Sequence, residues 1–197
     1  MSEKQGFLVI LSAPSGCGKT TVLSRLLKRH PQWLRSVSVT TRPPRLGEKN
    51  GRDYEFVTPR AFQKMKTEGE FLESEEVFGH LYGTPRKTAE EGVEKGRVVV
   101  LTIDVQGARS VRKTVERKLP LLSIFILPPS ISVLRERLEK RSTDPPREIE
   151  KRIRKAEEEI KEAKEYHATV LNRDLDQTVH EVESLIVEYG KKLERRK

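Results

Sequence analysis

Short, mainly apolar runs alternate along this chain with longer, heavily charged stretches of helical period. The runs Phe7–Ser12, Arg97–Ile103, Leu121–Leu127 and Thr169–Leu171 are rich in Val, Ile and Leu and lack polar alternation. They read as strands buried on both faces. The charged stretches predict helices over about Thr20–Arg29, Gln106–Arg117, Ile131–Arg141, Glu148–Tyr166 and Leu175–Leu193. In the fourth, Ile149, Ile153, Ala156, Ile160 and Ala163 are spaced 4, 3, 4, 3, a narrow apolar stripe on an otherwise charged helix. Strands and helices alternating in this way predict an α/β fold with a parallel sheet and crossover helices.

Two segments depart from the pattern. Between residues 36 and 90 the strands are shorter and more polar, as in Asp53–Val57 and Glu70–Val77, with joints at Gly47, Gly51, Gly79 and Gly83. This reads as an inserted β-rich lobe. Further on, Pro128-Pro129 and Asp144-Pro145-Pro146 bracket an arginine-dense helix, which predicts a segment that moves as a unit.

Composition narrows the classes. The 197 residues carry 39 Lys+Arg against 30 Asp+Glu, a net charge of +9, which suits an anionic partner. The basic residues are interleaved with acids, as in RERLEK and EKRIRKAEEEIKE, and form no single stripe of the kind that tracks nucleic acid. No apolar run approaches the length of a membrane span, and MSEKQGFLVIL reads as a first strand, not a secretory signal. One cysteine and four scattered histidines leave no disulfide and no multi-cysteine zinc site. The expectation is a cytoplasmic protein that binds neither membrane nor nucleic acid, as a monomer or homodimer. Asparagine occurs only twice amid many Lys, Glu and Arg, a bias that resembles proteins from hot environments.

The segment Ala13-Pro14-Ser15-Gly16-Cys17-Gly18-Lys19-Thr20 follows the first strand and opens the first helix, the context that a phosphate-binding loop requires. Glycines let backbone amides face an anion, and the helix N-terminus adds the positive end of its dipole. Lys19 can then reach β- and γ-phosphates, while the Thr20 hydroxyl is a Mg²⁺ ligand candidate. The first glycine of GxxxxGK[ST] is Ala13 here, which costs little if that residue keeps a negative φ. Cys17 reads as a small filler in the loop. Asp104, after the strand ending at Ile103, stands where a carboxylate would face the Mg²⁺ hydration shell.

Downstream, Arg42 and Arg45 flank Pro43-Pro44, whose rings stiffen the backbone, and stiffened arginines suit a bidentate grip on phosphate. APSGCGKT, SVTTRPPRLGEKNGRDYEF, EFLE, HLYGTP and IDVQGA, in this order and at these spacings, resemble the guanylate kinase family from about Phe7 to Asp176. The resemblance implies a P-loop sheet core over about 4–36, 88–128 and 160–197. It also implies a GMP-binding lobe over about 37–87 and a helical lid over about 129–159, within one domain spanning 1–197. It implies ATP on Ala13 to Thr20 together with Thr21 and Asn172, and Mg²⁺ as cofactor on Thr20 and Asp104. The GMP phosphate would lie on Arg42, Arg45, Tyr54 and Tyr82. The base would lie on Ser38, Glu73 and Thr84, with Gly83 and Asp104 beside the same substrate. Guanine's N1–H and exocyclic amine can both donate to one carboxylate, whereas adenine would set an unprotonated N1 against it.

By the same resemblance Arg137, Arg141 and Arg152 are lid arginines that reach the transferring phosphoryl group, where positive charge stabilises its three oxygens. Arg135, Arg147 and Arg154 read as solvated. Many relatives carry an acidic residue where this chain has Thr102, which removes one contact. The acceptor would be a phosphate oxygen, already anionic, so no general base is needed. The rivals are a guanylate-kinase-like scaffold module that binds phosphopeptides, a nucleic-acid binder, and a nucleotide kinase with another acceptor.

Overall fold

The computed structural model describes residues 5–115, 118–140 and 145–195. In chain order the first elements are β1 (Phe7–Ser12), α1 (Lys19–Arg29), β2 (Leu34–Ser36), β3 (Val39–Thr40), β4 (Glu55–Phe56) and α2 (Pro59–Thr67). Next come β5 (Phe71–Val77), β6 (His80–Pro85), α3 (Arg86–Glu94), β7 (Val98–Leu101), α4 (Val105–Val115) and β8 (Leu121–Leu127). The chain continues with α5 (Ile131–Lys140), α6 (Pro146–Lys161), a 3₁₀ turn at Glu162–Glu165, β9 (Ala168–Leu171) and α7 (Leu175–Glu194).

One sheet has the strand order β2-β7-β1-β8-β9, with β2 parallel to β7 (Leu34 opposite Val99) and β8 parallel to β9 (Ile124 opposite Ala168). Every residue of β1 is buried, as its unbroken apolar run predicts. A second sheet, β4-β3-β6-β5, is mixed: β3 runs parallel to β4 and antiparallel to β6, and β5 is antiparallel to β6. The described residues divide into two compact units, one falling within Met1–Leu8, Gln32–Leu101 and Gln106–Leu121, the other within Val9–Pro31, Thr102–Val105 and Leu122–Lys197.

The first unit holds the mixed sheet. Val39, Phe62 and Phe71 form its core, with Val57, Met65 and Leu81 packed against them. The Phe62 and Phe71 rings stack at 4.7 Å. Phe62 comes from α2, a helix that the polarity of this region hides from periodicity. Its start is nonetheless written locally, because Thr58 caps the Ala61 amide (3.2 Å) and Pro59 takes the first helical turn. The lobe therefore contains a helix that a purely β reading omits. The strands expected at Asp53–Val57 and Glu70–Val77 shorten to Glu55–Phe56 and Phe71–Val77, and β6 pairs with the latter.

In the second unit α1 buries Val22, Leu23 and Leu26, and α7 buries Thr178, Val179, Val182, Ile186 and Leu193, each an apolar stripe facing inward. The stripe of α6 buries Ile149, Ile153 and Ala156. The helix expected to run on to Tyr166 ends at Lys161, and its last turn tightens to 3₁₀. That turn buries Ala163 and delivers Tyr166 edge-on to Phe125, with ring centroids 5.0 Å apart. Among the described residues no helix is long and apolar enough to cross a membrane.

Candidate active site

The loop between β1 and α1 lies wholly in the second unit. Gly16 and Gly18 have φ of +93° and +89°, a left-handed backbone that glycine adopts without Cβ strain. A Cβ on Gly16 would also meet the Leu138 and Leu134 side chains of α5 at 3.0 and 3.1 Å. Ala13, in place of the first glycine of the motif, is buried and keeps a negative φ, so the substitution carries no backbone penalty. At the start of α1 the capping residue is Gly18, which supplies no side-chain hydrogen bond, so the first-turn amides stay available to an anion.

Three tethers shape this loop. Ser12 Oγ donates to the Ile103 carbonyl at 2.9 Å and so ties the end of β1 to the residue before Asp104. Cys17 N–H donates to the Pro14 carbonyl. Asn172, 5% exposed, donates through Nδ2 to the Cys17 carbonyl at 2.7 Å and accepts through Oδ1 from Thr178 Oγ at 3.1 Å. The structure thus commits the Asn172 amide to the loop backbone and to α7. The Cys17 thiol is buried, and burial pushes its pKa up to about 11, as fits a filler.

Lys19 donates to the Ala13 carbonyl. Burial lowers its pKa, and the Glu159 carboxylate works in the opposite direction. Glu159 lies on α6 with its side chain 11% exposed, and burial pushes its pKa up to about 7 against the pull of Lys19 and Lys155. Lys155 Nζ stands 3.8 Å from Asp104 Oδ2 and 3.8 Å from Glu159 Oε1. Reading the chain alone missed Lys155 and Glu159. One signal was present: Arg152, Lys155 and Glu159 are spaced 3 and 4, which puts them on one helix face. Arg137 Nη2 lies 3.5 Å from the Asn172 carbonyl, beside the loop. Arg141 lies outside the described residues, and Arg152 is half-buried on α6. Arg135 instead pairs with Glu150 on the surface.

Thr20 is exposed in the first turn of α1, and Asp104 is mostly buried. Both are hard oxygen donors. Among the described residues no group of three or more His, Cys, Asp or Glu could hold a metal by itself. A donor set this sparse fits Mg²⁺, which takes most of its ligands from phosphate and water.

Ser38, Arg42, Arg45, Tyr54, Glu73, Tyr82, Gly83 and Thr84 all fall in the first unit. Glu73 on β5 faces Thr84 on β6 in register, and the Thr84 hydroxyl donates to Glu73 Oε1 at 2.5 Å, with both residues buried. Ser38 is buried just before β3. Gly83 has a packing reason to be glycine, since a Cβ there would sit 2.7 Å from the Phe71 ring.

Arg42, with a side chain 10% exposed, is enclosed. Its Nε donates to the Tyr82 hydroxyl (3.2 Å), Nη1 to the Pro43 carbonyl (2.7 Å) and Nη2 to both oxygens of Glu48 (2.9 Å each). Its guanidinium carbon lies 5.4 Å from the Tyr54 ring centroid, and the Tyr54 and Tyr82 rings meet edge-on at 6.0 Å. Burial works against the charge of Arg42, and the bonds to Glu48 and Tyr82 outweigh it, so its pKa lies above the ordinary guanidinium value. Burial raises the Tyr54 pKa, which keeps that group a neutral phenol. Arg45 is exposed, so the two arginines that look alike in RPPR occupy unlike settings.

A strand, a loop with two left-handed glycines and an uncapped helix carrying Lys and Thr define a P-loop phosphate-binding protein. The family model described as "Guanylate kinase" matches residues 5–189, so the chain belongs to the guanylate kinase family, a family of nucleoside monophosphate kinases. A guanylate kinase of Wolbachia sp. subsp. Brugia malayi is 45% identical over 184 residues, 93% of each chain. Another, from Caldanaerobacter subterraneus subsp. tengcongensis, is 40% identical over 196 residues, 99% of this chain and 93% of the relative. Among solved structures, the guanylate kinase of Anaplasma phagocytophilum superposes with a TM-score of 0.77 at 35% identity, over 94% of this chain and 86% of that one. A gluconokinase from Sinorhizobium meliloti 1021, at 16% identity and a TM-score of 0.53 over 98% of each chain, shares the fold alone.

Proposed function

We propose that this chain transfers the γ-phosphoryl group of ATP to the phosphate of GMP, giving ADP and GDP, with Mg²⁺ on Thr20 and Asp104. The bond from the γ-phosphorus to the β,γ-bridging oxygen breaks as one forms to a GMP phosphate oxygen. The acceptor is already an anion, so no proton has to move. The observation that carries the reading is the buried Glu73–Thr84 pair on the small sheet of a chain from this family. A buried carboxylate matches the two adjacent N–H donors of guanine and opposes the lone pair of adenine. Ser38 and the Thr84 hydroxyl supply polar contacts to the same base.

In this reading the open amides of Gly16 to Lys19 cradle the ATP phosphates, and Lys19 exchanges the Ala13 carbonyl for a phosphate oxygen. Arg137, Arg141 and Arg152 neutralise charge as it spreads over the transferring group. Arg42, Arg45, Tyr54 and Tyr82 hold the acceptor phosphate. Mg²⁺ held by Thr20 and Asp104 would supply positive charge against the ATP phosphates. Residues 37–87 form the acceptor lobe, and residues 129–159 form a lid that excludes water, which would otherwise drain ATP. The reaction belongs to purine nucleotide metabolism and GMP recycling in the cytoplasm.

The test is ADP formation from Mg-ATP with GMP, AMP, CMP and UMP offered separately. Turnover that depends on GMP and responds little to the other three is expected. GMP binding without ADP formation would replace the proposal with the scaffold reading, and turnover with another nucleotide would reassign the acceptor.

A further inference from the structure

We infer that Glu48 is a positioning residue for the acceptor phosphate: it aims the Arg42 guanidinium and pins the Arg45 backbone, and so builds the phosphate clamp from both arginines. This rests on the reading of GMP as acceptor. A guanidinium has five N–H donors in one plane. Here Nε donates to the Tyr82 hydroxyl, Nη1 to the Pro43 carbonyl, and Nη2 to the two oxygens of Glu48. Each guanidinium nitrogen of Arg42 is therefore anchored, and the N–H bonds that these contacts do not use are the donors left for a ligand. With an anchor at each of the three nitrogens, the direction of the remaining N–H bonds is set before any phosphate arrives.

Glu48 does this from a turn that it closes itself. Its N–H donates to the Arg45 carbonyl at 3.0 Å, and its Oε2 accepts the Arg45 N–H at 2.7 Å. Gly47, with φ +84°, permits the reversal. One carboxylate therefore holds a side chain at position 42 and a backbone at position 45. The aromatic walls, Tyr54 and Phe56 at 5.4 and 5.8 Å from the Arg42 guanidinium carbon, restrict where that group can tilt but cannot choose its rotation. Rotation is what Glu48 fixes. A carboxylate on Arg42 could alternatively be a competitor that phosphate must displace, and removing it would then tighten binding. The reciprocal bonds to Arg45 favour positioning, because a mere competitor has no need to organise the second arginine.

The experiment measures Kd for GMP and for guanosine on wild type, Glu48→Gln and Glu48→Ala, together with kcat and KM for GMP. Glu48→Gln is expected to weaken GMP on the order of tenfold, the scale of one charge-assisted hydrogen bond, and to leave guanosine within about twofold. Glu48→Ala should weaken GMP further, while kcat at saturating GMP falls less than KM rises. A purely structural role would move both ligands together. Tighter GMP binding in Glu48→Gln, or no change in the GMP-to-guanosine ratio, overturns the inference. If wild type itself fails to prefer GMP to guanosine, the acceptor assignment fails instead, and the two failures are distinguishable.

Discussion

Removing the amide of Asn172 separates two roles for one residue. The family resemblance assigns Asn172 to ATP, yet both ends of its side chain are occupied within the protein, beside the phosphate loop. In Asn172→Ala the Cys17 carbonyl loses its 2.7 Å donor and Thr178 loses one acceptor, though its hydroxyl keeps the Asp174 carbonyl at 2.6 Å. A buried acceptor stripped of its partner costs about 1–3 kcal/mol, and the Thr178 bond adds less because it has an alternative, so a total of about 2 kcal/mol is expected. For a chain of this size that lowers Tm by roughly 4–8 °C. The phosphate loop should slacken as well, and KM for ATP should rise on the order of tenfold. Asn172→Asp keeps the acceptor for Thr178 but sets an oxygen against the Cys17 carbonyl, so it should lose as much stability as the alanine variant. Calorimetry beside an ATP titration reads both effects. An unchanged Tm with a raised KM would refute the loop-tether argument and make Asn172 a direct nucleotide contact.

Lys19→Met is expected to cut kcat by at least about a hundredfold in the coupled ADP assay, since on the proposed mechanism it deletes a cation that meets the developing charge; near-normal kcat would sink that mechanism. Glu73→Gln should keep a bond to Thr84 but lose the second acceptor for guanine, so GMP-over-AMP selection by kcat/KM should fall by at least about tenfold, and an unchanged ratio contradicts the base assignment. Glu159 titrates near 7 in the fold against an ordinary 4.5, so the folded state binds more protons over that interval. Stability from this group is therefore lost as pH rises from about 4.5 through about 7, and Glu159→Gln should raise Tm relative to wild type at pH 8 but not at pH 5. A Tm difference that does not change with pH would show that the Glu159 carboxyl keeps an ordinary pKa.

What could be read without coordinates is what the chain encodes locally. β1 and β8 begin and end where their apolar runs do, because strands buried on both faces need no partner information to be recognised. The phosphate loop was legible for the same reason, since its glycines, lysine and helix start are consecutive. The mixed lobe was legible only in outline. Its β3 and β4 are two residues each, held by β6 and by contacts from Asn50 and Gly51, and α2 has a local start in Thr58 and Pro59 but buries only Phe62, which stacks on Phe71.

Charged residues divide most sharply between sequence and tertiary structure. Glu157, Glu158 and Glu159 are one run in the chain, yet only Glu159 is turned to the buried side beside Lys155, where loss of solvent lifts its pKa. Arg42 and Arg45 are equivalent in RPPR, yet one is caged by Glu48, Tyr54 and Tyr82 while the other is exposed. Sequence by itself determined the strands of the core, the phosphate loop and the family. Which carboxylate meets which cation depends on residues from distant segments converging, and on the water their convergence removes, so only the tertiary structure could decide it.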